Sequence, residues 1–86
     1  MEQCGYIMAI LQENRVDTAT KVQEALTRYG CNIRLRLGLH DAGVATCSNS
    51  GLILLQLCGD KAEAEKLQAD LQGIPHVKAK MMSLDF

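Results

Sequence analysis

The sequence predicts an α+β fold, a four-stranded antiparallel sheet with two helices on one face and the element order β-α-β-β-α-β. Three observations lead there. Residues 5–12 and 51–58 are short runs apolar on both faces, the pattern of buried central strands. Residues 32–40 and 77–82 alternate apolar with polar, the pattern of half-covered strands, because side chains along a strand point to opposite faces in turn. Between these lie two stretches with apolar residues three and four apart, which put one greasy stripe on a helix.

In chain order, G-Y-I-M-A-I-L-Q at residues 5–12 is the first strand. Asn14 offers a helix N-cap, with Asp17 three residues later in a variant of the capping box. The first helix is expected over residues 15–29, buried through Ala19, Val22, Leu26 and Tyr29 and closed by Gly30 as a left-handed cap. The stretch C-N-I-R-L-R-L-G-L-H at 31–40 then alternates without a slip. Ile33, Leu35, Leu37 and Leu39 are expected to face a core, and Arg34, Arg36, Gly38 and His40 to face away. D-A-G-V-A-T-C-S-N-S at 41–50 reads as a loop. G-L-I-L-L-Q-L-C at 51–58 is the most apolar run, and Gly59 breaks it. Asp60 is expected to cap the second helix, with Glu63 completing a capping box. Ala64, Leu67 and Leu71 form its buried stripe, and Gly73 ends it. Ile74 and Pro75 turn the chain into a last strand, Val77 to Met82, with Lys78 and Lys80 on one face.

Two β-α-β halves joined by a loop make the split β-α-β, or ferredoxin-like, plan. Right-handed crossovers put both helices on one face and make the first and third strands central. One domain over residues 1–86 is expected, since the chain is too short to divide. The second face of the sheet should also be greasy at its centre. Leu52, Leu54 and Gln56, with Cys58 beyond, are expected there, flanked by Arg34, Arg36, Lys78 and Lys80. An apolar centre with a charged rim is the anatomy of a contact surface. A homodimer or homotetramer joined through Leu52, Leu54 and Gln56 is therefore expected.

Composition narrows the function. A net charge of −1 argues against a general nucleic-acid binder, and Tyr6 is the one aromatic residue on the central strands for a base to stack on. No apolar run reaches membrane-spanning length, and M-E-Q-C-G-Y is not the start of an export signal, so a cytoplasmic chain with reduced Cys4, Cys31, Cys47 and Cys58 is expected. His40, His76, Cys47 and Cys58 stand at no ligand-motif spacing, so no metal or other cofactor is expected. His40 and Asp41, adjacent on a strand, point apart and make no acid–base pair, and no glycine-rich phosphate loop exists. Arg34 and Arg36, with His40 beyond them, are the candidate ligand-binding residues. Two guanidiniums could hold an anionic effector, but the residues alone favour the reading in which they guard an edge strand from aggregation.

Across residues 5–82, Y-I-M-A-I-L-Q-E-N-R at 6–15, V-Q-E-A-L at 22–26, I-R-L-R-L-G-L at 33–39, G-L-I-L-L-Q-L at 51–57 and G-I-P-H-V-K-A-K at 73–80 resemble the iron-only hydrogenase system putative regulator family. The resemblance implies an ACT-like version of the ferredoxin-like fold, similar to the effector domain of the nickel-responsive regulator. It implies a regulatory or accessory role beside the iron-only hydrogenase system of anaerobic bacteria. It carries over no ligand residues, and the nickel regulator's histidine and cysteine set has no counterpart here. Nor does the chain have a DNA-reading segment, so direct nucleic-acid binding is not expected. Beside a homo-oligomeric domain that binds a small-molecule effector and does no catalysis stand three alternatives: a protein–protein assembly module, a metal-responsive domain and a small enzyme of the same fold.

Overall fold

A computed structural model describes residues 4–13, 15–39 and 51–84. The elements are β1 (Tyr6–Gln12), α1 (Arg15–Arg28), β2 (Ile33–Leu39), β3 (Gly51–Leu57), α2 (Lys61–Gln72) and β4 (Val77–Ser83). The sheet order is β2-β3-β1-β4, and all three pairings are antiparallel. The fold is thus the expected α+β ferredoxin-like one, with the two doubly apolar strands at the centre.

Registers decide which side chains meet the helices. Tyr6, Met8, Ile10 and Gln12 lie opposite Leu57, Leu55, Ile53 and Gly51 on β3, and opposite Ser83, Met81, Ala79 and Val77 on β4. Met8, Ile10, Leu55 and Leu57 are buried completely or almost so. The helices close over this row with Val22, Ala25 and Leu26 from α1 and Ala64, Leu67 and Leu71 from α2. Each fully buried aliphatic side chain contributes about 2 kcal/mol. Gln68 and Gln72, one turn apart on α2, both donate to the Ala79 carbonyl, at 2.9 and 2.6 Å, which pins that helix to β4.

The element ends depart from expectation in three places. Gly30 is not a left-handed cap. α1 stops at Arg28, and the chain tightens into a 3₁₀ turn over Gly30–Asn32 whose last N–H reaches Tyr29 O at 2.9 Å. Asp60 stands at the N-cap of α2 in extended conformation, yet its carboxylate bonds no backbone N–H, so the capping box does not form. Its backbone carbonyl takes that part instead, accepting from Glu63 and Ala64. The left-handed glycine is Gly59, at φ +93 between β3 and α2, where a Cβ would also come within 3.0 Å of Asn32 Nδ2. Asn32 is held there by exchanging hydrogen bonds with Cys58, which closes the β2–β3 ladder.

The cysteines also differ. Cys4 and Cys58 are joined as a disulfide, whereas reduced thiols were expected from spacing along the chain. Spacing misses this pair because the antiparallel register Tyr6↔Leu57 brings the residue two before β1 beside the residue just after β3. Cys31 is free and exposed. Cys47, Asp41, Asn14 and the loop at 41–50 lie outside the described residues.

Candidate functional site

The helices cover one face of the sheet, and the other is the candidate site. β1 presents Ile7, Ala9 and Leu11 to it, in register with Gln56, Leu54 and Leu52 on β3. β4 presents Lys78, Lys80 and Met82 opposite the same β1 residues. The expected positions of Leu52, Leu54, Gln56, Lys78 and Lys80 thus agree with the structure. Gln56 does not stand free, since its amide donates to Cys4 O at 3.1 Å and ties the N-terminal segment across the end of β3.

β2 overturns the expectation. Its register slips by one residue between Ile33 and Leu35: Ile33 is opposite Leu57, and Leu35, not Arg34, is opposite Gln56. Such a bulge places two residues against one and turns the following strand over. Leu35 and Leu37 therefore lie on the open face beside Gln56 and Leu54, and they are 56% and 48% exposed. Arg36 goes to the helix side, opposite Leu55, and its Nη1 donates to Gln23 Oε1 on α1 at 3.0 Å. Arg34 is the extra residue of the bulge and is exposed. Arg36 thus lies on the helix side of the sheet and does not rim the apolar patch.

The open face is consequently larger than the sequence suggested. All four strands contribute aliphatic side chains to it, Leu35, Leu37 and Met82 being the most exposed large ones. Ile7, Leu11, Leu35, Leu37 and Met82 were missed. The one available signal was arithmetic. β1 and β3 must pair antiparallel in this fold, so fixing Leu54 outward fixes β1 once the register is known.

Arg36 marks a second, smaller feature. On the side of α1 where Gln23 receives it, Thr20, Gln23, Glu24, Thr27 and Arg28 line a shallow open groove. The groove is electrostatically mixed. Arg28 lies 3.7 Å from Asp70 on α2, and the Tyr29 hydroxyl donates to the same carboxylate at 2.9 Å. That hydrogen bond, with burial and the negative charge beside it, raises Tyr29 above the ordinary phenolic pKa. His40, the third expected ligand residue, lies outside the described residues. His76 is exposed, in a left-handed conformation at φ 69, and its carbonyl accepts from Glu13 N–H at 2.8 Å. Among the described residues, no three His, Cys, Asp or Glu side chains gather as a metal site, and no helix is long and apolar enough to cross a membrane.

No protein-family model matches the chain, and no curated protein matches it. Solved structures do. The chain is similar to the uncharacterized protein TM1266 from Thermotoga maritima, with 30% identity over 93% of this chain and 95% of that one and a TM-score of 0.80. It shares its fold with a "putative PII-like signaling protein" from Thermus thermophilus, at 17% identity over 91% and 84% of the two chains and a TM-score of 0.57. A dimeric ferredoxin-like protein of unknown function from Thermobifida fusca overlaps more loosely, at 17% identity and a TM-score of 0.44 over 98% and 95%.

Proposed function

This chain belongs to the same family as the uncharacterized protein TM1266 of Thermotoga maritima, and we propose that it is a small regulatory domain that acts by binding and self-association, without catalysis of its own. The observation that carries this reading is the broad apolar sheet face opposite the helices. A surface of exposed leucines that wide is kept where something covers it. The sequence resemblance noted above supports a place beside the iron-only hydrogenase system. A signalling role is in keeping with the name of the Thermus thermophilus neighbour, with which this chain shares its fold.

The effector contact in this reading is Arg36 with its α1 partner Gln23, beside the shallow groove. Arg36 is bonded to a neutral amide rather than to a carboxylate, so its charge remains available to an anionic ligand. Thermal denaturation against a panel of amino acids, nucleotides and divalent metals tests the reading. An anionic member of the panel should raise the melting temperature. Arg36→Ala should abolish that rise while leaving the unliganded stability within about 0.5 kcal/mol of wild type, as for most exposed substitutions. A rise that survives Arg36→Ala returns both arginines to protecting the edge. A response to a metal alone would favour the metal-responsive alternative.

A further inference from the structure

We infer that the open face is covered by a second copy of this chain, stacked face to face about a twofold axis that runs along β3. The inference deepens the reading above, on which it rests in treating the face as a contact surface. Three features lead to it.

Chemistry comes first. Among the described residues the open face carries aliphatic side chains, one glutamine and two lysines, but no carboxylate and no aromatic ring. Interfaces between unlike partners are as a whole no more apolar than the rest of a protein surface. An aliphatic face resembles instead a domain core cut in half, the composition of homodimers. Sheets stack about 10 Å apart through such side chains.

Charge then fixes the axis. The lysines of the open face sit on β4, at Lys78 and Lys80, so the apolar area, Met82 at the end of β4 apart, is centred on β3 and not on the middle of the sheet. An axis across the strands would set β4 on its own copy, lysine against lysine. An axis along the strands at the sheet's middle would press those lysines onto Leu35 and Leu37 of the other copy. Moving the axis to β3 stacks β3 on β3 and β2 on β1, and leaves both lysines outside the contact.

Area sets the strength. Three strands of seven residues span about 14 by 24 Å, or roughly 340 Å² of flat footprint per copy before the relief of the leucines is added. Two copies thus bury about 680 Å² of flat footprint, short of the roughly 1,000 Å² of stable specific interfaces, so the relief of the leucines must supply the rest and the pair is weak. Dimer and monomer should exchange on dilution.

Sedimentation velocity of the full chain over a dilution series tests this with Leu37→Asp, Leu35→Asp and Lys80→Glu. Wild type should sediment as a dimer that dissociates on dilution. Either leucine variant should show half that mass with an unchanged circular dichroism spectrum, because both positions are exposed in one copy. Lys80→Glu should keep the wild-type mass. Wild type that is monomeric throughout overturns the inference, and its co-sedimentation with phosphatidylserine vesicles would assign the face to a lipid surface. Lys80→Glu dissociating as fully as Leu37→Asp overturns the β3-centred axis. A dimer with the expected variant pattern that responds to no effector upholds this inference and overturns the regulatory reading.

Discussion

Leu54 and Leu55 are neighbours with opposite fates. Leu55 is 1% exposed beneath the helices, with Met8 on one side and the Arg36 backbone on the other, whereas Leu54 is half-buried on the open face. An unpaired carboxylate at Leu55 has no water and no donor to meet. Burying it costs several kcal/mol, against a total stability of about 5 kcal/mol for so small a domain. Leu55→Asp is therefore expected to be unfolded by circular dichroism at 25 °C. Leu54→Asp is expected to remain folded and to lose only self-association. A folded Leu55→Asp beside an unfolded Leu54→Asp would mean that the two faces of β3 are exchanged. This much was legible in the sequence, because Gln56 is the one polar residue in the run and marks its own side as the wetter one.

Among the elements, β2 shows where legibility stopped. Strict alternation identifies a strand and sorts its residues into two sets, but it does not say which set faces in. Assigning the leucines inward assumes that the core is the one apolar surroundings available. Here the open face is apolar too, so the leucine row goes out and Arg36 finds an amide on α1. The bulge that sets this phase depends on pairing with β3, which no local pattern encodes. The helices were read well because their stripes have one possible neighbour. What the stripes did not disclose is the clasp between them, Tyr29 and Arg28 at the end of α1 against Asp70 on α2. Its hydrogen bond holds the phenol protonated, with a folded pKa raised above 10.0. The clasp should thus contribute below the ordinary phenolic pKa and be lost as pH rises through the raised one. In a Tyr6→Phe background, ultraviolet titration should place Tyr29 above the ordinary value, and Asp70→Asn should bring it down. Equal titration of both proteins would show that the clasp does not form in solution.

At the largest scale, a chain of 86 residues folded in two layers buries only about 60% of the surface it would expose unfolded. It can nonetheless leave one side of its sheet bare, since the other is closed by six fully or nearly fully buried helix residues and held at its rim by the Cys4–Cys58 bond. That economy gives the slip between Ile33 and Leu35 a bearing on how the chain can change length. Arg34 is already one residue too many for its partner strand. Removing it restores a regular ladder and leaves Leu35, Arg36 and Leu37 on the sides they now occupy. Adding a residue at the same place has no such outlet: it sends Leu37 under the helices and Arg36 onto the open face. Deletion of Arg34 should therefore give a folded protein of unchanged sedimenting mass, while insertion of a serine after Arg34 should give one that is unfolded or monomeric. At this point the chain can be shortened but not lengthened.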